Sequence, residues 1–333
     1  MAPIPQRTTL TNGKLRALPF NNEFPQNPGR RTLTYSIVAR DPKTGEMGVA
    51  VQSHYFSVGS AVTWARAGVG AVATQAMVDV RYGPLGLELM AGGLSAPEAL
   101  ASLLKGDSKP EVRQVAMVDS KGMVSSHTGR LCIPNAGHVA GKGFSCQGNI
   151  MANGRVWGAM KRAFDSERRL PLAERMLAAL DGAQAAGGDL RGKQSAAILV
   201  VGPGLKGNGW EGRLVDLRVE DHPEPLKELR RLLRYQRGYR WVDRGDEEFS
   251  SGRMEEALAA YARGMELVPE VLELKFWVAI GLLGSGKDRA KGLKMLKDVC
   301  SEDRNWVQVT EGMVRSGSVK LDPAVLREIG AGP

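Results

Sequence analysis

The apolar and polar positions of the chain follow two regimes: short strand-like runs with interspersed helices up to about residue 222, and continuous helical periodicity after it. Residues 34–54 (TYSIVARDPKTGEMGVAVQSH) hold two short apolar runs around DPKTGE at 41–46. Pro42 presets φ and Gly45 permits φ > 0, so the stretch predicts a β-hairpin. Residues 61–65 and 69–74 flank Arg66-Ala-Gly68 and predict a second hairpin. Residues 113–127 predict a third, turning at Asp119-Ser-Lys-Gly122. Residues 195–201 and 213–219 are two more strands around a Gly-rich turn.

Between these blocks the period changes. Leu85, Leu87, Leu89 and Met90 gather on one helix. Ser95-Ala-Pro-Glu98 has the spacing of a capping box, with Pro97 near the start of a second helix that ends near Lys105-Gly106. Two more helices are predicted at 154–166 and 171–185, and the Gly-rich stretches 129–149 and 187–192 read as irregular loops. Strands and helices in segregated blocks predict an α+β fold, with antiparallel sheets layered by helices.

From His222-Pro-Glu-Pro225 onward every segment reads as helix. Gly245, Gly252, Ala257, Tyr261, Leu267 and Pro269 resemble one tetratricopeptide repeat. A weaker unit around Ala279, Gly286, Ala290 and Leu296 follows at about the 34-residue period of such repeats. Such a short array predicts a small helical appendage. The division is therefore an extension at 1–33, a mixed domain at 34–222 and a helical domain at 223–333. Residues 1–33 are polar, rich in Pro, Asn, Thr and Arg, and without sustained periodicity, the pattern of disorder.

Composition narrows the function classes. The net charge of +9 comes from scattered Lys and Arg without a long like-charged run, which argues for a solvated basic surface and against nucleic acid. No run approaches the ~18 apolar residues of a membrane span, and no basic-then-apolar leader opens the chain. The three cysteines, Cys132, Cys146 and Cys300, show neither a disulfide framework nor metal spacing. These features predict a cytoplasmic protein without metal or cofactor. The glycines at 202–209 (GPGLKGNG) lack the ending of a phosphate-binding loop.

Candidate chemistry centres on Thr34, which opens the first strand. A threonine hydroxyl needs a base, and its own α-amine serves when the residue is N-terminal. Spacing alone does not single Thr34 out, because threonine begins many strands. Further candidates sit where strands end. Ser53 closes the second strand, and Arg66 follows the third. Gln75, Asp79 and Arg81 form a polar cluster between a strand and a helix; Asp79 suits an amine, and Arg81 a carboxylate. His127 is a candidate acid or base. In the loop GFSCQGN at 143–149, Gln147 and Asn149 offer amide hydrogen bonds, with Asn149 the candidate for holding an oxyanion. Cys146 reads as a buried thiol and His138 as structural, while Asp189 and Arg191 suit binding or subunit contact.

The segments TYSIVARDPKTGEMGVAVQSHYFSVGSAVTWARAGVGAVATQ, RYGPLGLELM, HTG and FSCQGN, in that order, resemble a bacterial and archaeal family known only as domain of unknown function 1028. The resemblance covers about residues 34–235. It implies an Ntn-hydrolase fold, a four-layer αββα sandwich of two antiparallel sheets between helices. Relatives begin Met-Thr-Phe/Tyr-Ser, so the resemblance places Thr34 at the mature N-terminus. In similar enzymes an acidic residue orients the threonine and a lysine tunes it; this chain has Gln52-Ser-His54 in place of the acid, and Arg66 as the counterpart of the lysine.

The extension departs from the family pattern. Three readings stand side by side: a propeptide cut before Thr34, a retained extension that silences the site, or translation starting at Leu33. Two functions follow. One is an amidohydrolase acting on a small amide or peptide-like substrate through an acyl-enzyme on Thr34, as a homodimer. The other is a non-catalytic binding or assembly protein that recruits a protein partner through its C-terminal helices.

Overall fold

The computed structural model describes residues 31–32, 34–204 and 212–330. The expectations for residues 1–30, for a start at Leu33 and for the turn at 205–211 lie outside the described residues. The chain divides between Leu229 and Arg230 into two compact units.

In the first unit, strand alternation builds two antiparallel sheets. One contains β1 (Arg31–Thr32), β4 (Thr63–Arg66), β5 (Gly70–Met77), β6 (Arg113–Asp119) and β7 (Val124–Thr128). The other contains β2 (Thr34–Arg40), β3 (Met47–Ser53), β8 (Gly137–Gly141), β9 (Phe144–Gly148), β10 (Ser195–Val201) and β11 (Arg213–Val219), in the order β11-β10-β3-β2-β9-β8. The three hairpins are present. Because side chains alternate between faces, Val38, Val49 and Val51 of the second sheet meet Ala71, Ala73, Ala116 and Val118 of the first in one core. Full burial of each such valine stabilises by ~1.5–3 kcal/mol, so this small-residue interface holds the sheets together.

The helices pack on the outer faces. α2 (Tyr82–Ala91) and α3 (Ala96–Gly106) cover the first sheet through Leu87, Met90 and Leu100 on Val72, Val115 and Met117. The capping box at Ser95 is formed, with Ser95 and Glu98 exchanging side-chain-to-backbone bonds. α4 (Val156–Ser166) and α5 (Leu172–Ala185) pack on the second sheet.

Three elements differ from expectation. Arg31 and Thr32, in the stretch expected to be disordered, form β1 and pair antiparallel with Met77 and Ala76 at the end of β5. The second hairpin starts at Thr63 rather than at residue 61, because residues 59–62 close a helical turn, α1 (Gly59–Val62), in which Thr63 Oγ1 donates to the Gly59 carbonyl at 2.7 Å. Residues 129–149 are not irregular throughout: β8 and β9 form a hairpin turning at Lys142-Gly143, with Gly143 at φ +78°. Its strands are made of small and polar residues, so the hydrophobic alternation that marks the other strands is faint.

The second unit is all helical. α6 (Pro225–Ser250) begins in the first unit and continues into the second, followed by α7 (Met254–Leu267), α8 (Leu272–Ser285), α9 (Arg289–Glu302), α10 (Asn305–Arg315) and α11 (Pro323–Glu328). Val242, Tyr261, Leu274 and Val278 form one of its cores, and Phe276, Leu296, Val299 and Val307 another. Gly245 is fixed by this packing: a Cβ there would stand 2.3 Å from the Tyr261 ring. No described helix is long and apolar enough to cross a membrane.

Candidate functional site

The inter-sheet layer is apolar at one end and polar at the other. Along β2 the inward positions run Val38, Ser36, Thr34; toward this end the partner strands carry Ser53 (β3), Gln147 (β9), Gln75 (β5) and Gln114 (β6). All these side chains are buried. A buried polar group costs free energy unless hydrogen-bonded, and here the groups satisfy one another.

Thr34 sits at the centre. It lies opposite Ser53 in the β2–β3 register, and its Oγ1 donates to Ser53 Oγ at 3.1 Å. Its carbonyl oxygen accepts from the Asn149 backbone N–H at 3.1 Å, from Gln75 Nε2 at 3.1 Å and from Asn149 Nδ2 at 3.5 Å. Gln114 orients both amides: its Oε1 accepts from Gln75 Nε2 at 2.7 Å and from Asn149 Nδ2 at 2.8 Å. Gln114 Nε2 donates in turn to Thr128 Oγ1 and to the carbonyls of Gly137 and Gly148. A second branch runs through Ser36, whose Oγ donates to Gln75 Oε1 at 2.7 Å and accepts from Gln147 Nε2 at 2.7 Å.

Two residues beside the site hold left-handed backbone. Ala76, after Gln75, has φ +71°, and Ile150, after Asn149, has φ +54°. For a β-branched residue this is a genuine outlier, and such strain gathers at functional positions. Asn149 Oδ1 is also buried without a partner among the described residues, as are both amide atoms of Gln52.

The structure brings together Thr34, Ser53, Gln75, Gln147 and Asn149. Asn149 spends Nδ2 on Gln114 and Thr34, so its spare atom is an acceptor, the wrong polarity for holding an oxyanion. Asp79 and Arg81 lie just beyond Gln75 but engage each other, with Arg81 Nη2 2.7 Å from Asp79 Oδ2. That hydrogen bond, with the Asp79 charge, raises the Arg81 pKa. Arg66 is not at the site. It pairs with Gly70 at the other end of β5, five residues from Gln75, roughly 17 Å along the strand; there it helps line a cavity of about 300 Å³ with Trp64, Leu87 and Arg213. His127 is also outside: its parity turns it away from Gln114, and its Nε2 lies 2.7 Å from the Pro110 carbonyl.

Ser36 and Gln114 belong to this cluster without standing in any local motif. Their signal is polarity at inward positions of otherwise apolar strands, YSIVA and RQVAMV. Tyr35, on the opposite face of β2, donates to Gln184 Oε1 at 3.0 Å; burial first, then Asp189 and Asp181, raise its pKa.

Residues 34–229 match the model of a family of unknown function, DUF1028. Among solved structures the chain is similar to the crystal structure of protein SPO2555 from Silicibacter pomeroyi, also assigned to DUF1028, at 31% identity and a TM-score of 0.55, over 61% of this chain and 88% of that one. No curated protein matches.

Proposed function

The chain belongs to DUF1028, a family of unknown function, and from that premise we propose that it is an N-terminal-threonine amidohydrolase built on the four-layer αββα sandwich of the Ntn hydrolases. The observation that carries this reading is the setting of Thr34. It opens β2 with its hydroxyl on Ser53, its carbonyl fixed by Gln75 and Asn149, and an unpartnered buried acceptor, Asn149 Oδ1, in the same cluster.

In the proposed reaction the chain is cut, or started, so that Thr34 comes first. Its freed α-amine then takes the Oγ1 proton while Oγ1 attacks the amide carbon. The C–N bond breaks, the leaving amine carries away that proton, and water hydrolyses the ester left on Thr34. A freed amine gains N–H donors, and Asn149 Oδ1 supplies an acceptor for one of them. Thr34 is fully buried in the described chain, and the proposed cut before it would remove β1 (Arg31–Thr32).

Intact-mass analysis of protein made in its own host should give a chain beginning at Thr34. Incubation with an activated ester should add one acyl group to Thr34 in the wild type and none in Thr34→Ala. A fully active chain that still begins at Met1 would falsify the reading.

A second reading, a non-catalytic assembly protein with a tetratricopeptide-like segment at 223–333, draws on the helical unit. Trp277 and Tyr239 are 41% and 37% exposed there, and both bond to Glu273, a braced aromatic pair suited to a protein contact. On this reading Thr34→Ala leaves the phenotype of the host unchanged and Trp277→Ala does not.

A further inference from the structure

Thr32 ends a strand of one sheet, and Thr34 begins a strand of the other. β1 runs antiparallel along β5, with Arg31 opposite Met77 and Thr32 opposite Ala76. Two residues of chain span at most about 7 Å, so the path of β1 ends within that distance of Thr34. The rim that β1 pairs with is also tied to Thr34 directly. Gln75, the residue before Ala76, donates its Nε2 to the Thr34 carbonyl at 3.1 Å.

β1 lies on an edge that β5 leaves open. β6 pairs with Gly70–Ala76 along one side of β5. Ala76 pairs with Arg113 of β6 and with Thr32 at once, so β1 takes the other side, where β4 covers only Gly70–Ala73. The rim is braced by contacts that do not involve β1. Arg113 Nη1 donates to the Met77 carbonyl at 2.5 Å, and its Nε donates to Asp107 Oδ2 at 2.7 Å. Thr74 Oγ1 donates to the Asp79 carbonyl at 3.0 Å. A cut before Thr34 would leave Ala76 and Met77 as a formed strand edge without its partner, and such an edge is a template for another extended chain. Direction decides which part of a ligand fits. β1 approaches Thr34 with its carbonyl end leading, so a chain on the same path delivers its C-terminal carbonyl to Thr34 Oγ1.

We propose that the Ala76–Met77 rim takes the acyl part of the Thr34 substrate as an added strand, so that the substrate is an extended peptide cut at its C-terminal end rather than a small free amide. This rests on the hydrolase reading of Thr34, and the bond broken is the C–N bond assigned there. Main-chain pairing supplies the affinity in strand addition, so the peptide's backbone matters more than its side chains. The test reads binding without chemistry. A Thr34→Ala chain, released by a site-specific protease with residue 34 first, is titrated calorimetrically with acetyl-Arg-Arg-Thr-Leu-amide, a copy of residues 30–33. It should bind at least about tenfold more tightly than the uncut chain, whose own tethered β1 fills the rim. N-methylation of the peptide's second arginine and of its threonine, one at a time, should find one position that costs about tenfold, the worth of one main-chain hydrogen bond. Norleucine in place of that arginine should cost less than about threefold, because its side chain is not what β5 reads. If near-UV circular dichroism shows the cut chain unfolded, the uncut chain carrying Arg31→Pro and Thr32→Pro gives the comparison. Proline cannot donate to the ladder, so β1 leaves the rim and the peptide should bind more tightly than to the uncut wild type. Equal affinity for opened and unopened rims overturns the proposal, as does binding that neither N-methyl group weakens. A peptide bound with the N-methyl signature, whose terminal amide the wild-type cut chain never hydrolyses, counts instead against the hydrolase reading alone.

Discussion

Gln75 on β5 donates its side-chain Nε2 to Oε1 of Gln114, the residue directly opposite it on β6, at 2.7 Å. The bond fixes which end of the Gln75 amide faces the Thr34 carbonyl, and the same Oε1 does so for Asn149. Gln114→Leu removes that acceptor and strips donors from Thr128, Gly137 and Gly148. Each buried group left unsatisfied costs ~1–3 kcal/mol, so the variant should lose at least about 2 kcal/mol in urea unfolding. A loss below about 1 kcal/mol would mean that water replaces the glutamine without penalty and that the network is not held through it.

The left-handed residues give a second expectation. Ala76 and Ile150 sit at φ +71° and +54°. Left-handed backbone costs an L-residue roughly 1–2 kcal/mol, a cost that glycine escapes. Ile150→Gly relieves it while losing the contacts of a half-buried side chain and adding ~0.5–1 kcal/mol of chain entropy. The terms nearly cancel, so the melting temperature should stay close to wild type. Ala76→Val moves the other way, placing a β-branched residue in buried left-handed backbone, and should destabilise by about 2 kcal/mol or more. Differential scanning calorimetry of the two variants reads both signs; a sharp drop for Ile150→Gly would show that side-chain packing outweighs the strain.

Much of the architecture was legible from alternation and turn chemistry. DPKTGE announced the β2–β3 hairpin, and Ser95 to Glu98 announced α3. The β8–β9 hairpin was not legible, because its inward residues Ser145 and Gln147 serve the polar network instead of the core. The site was legible only in part. Thr34, Ser53, Gln75 and Asn149 stand at strand ends, where a linear reading looks for chemistry. Arg66 also stands at a strand end, but at the opposite end of its sheet, a difference set by the β4–β5 register rather than by any local feature. Gln114 went unmarked because one glutamine in an apolar strand gains meaning only when its partners on β5 and β9 are known.

The cysteines provide a third expectation. Burial pushes the Cys146 thiol far up, against a small lowering by Lys161, and burial raises Cys132 as well. Since the thiolate is the reactive form, neither should be alkylated quickly by iodoacetamide at pH 8 in the native protein. Both should react on unfolding, as mass spectrometry of tryptic peptides would report. Rapid native labelling of Cys146 would mean that β9 opens locally, exposing the strand that carries Gln147.

His138 supplies a pH dependence. Thr128 Oγ1 accepts from Gln114 Nε2 at 3.0 Å and lies 2.9 Å from His138 Nδ1, so its hydroxyl hydrogen is left to point at a neutral imidazole. Burial first, then the neighbouring His127, lower the His138 pKa. With a folded value below the ordinary ~6.5, the folded chain holds fewer protons than the unfolded one between the two values. Stability from this residue is therefore fully present above pH ~6.5 and is lost as pH falls through the folded value. The urea midpoint should be lower at pH 5.5 than at pH 7.5. In His138→Gln, which keeps an acceptor for Thr128 but cannot titrate there, the difference should shrink. Protonation of His138 reverses the bond to Thr128 and frees the hydroxyl hydrogen, so it also disturbs the contact that steadies Gln114. If the pH 5.5 deficit is as large in His138→Gln as in wild type, carboxylates elsewhere account for it and the imidazole has no part.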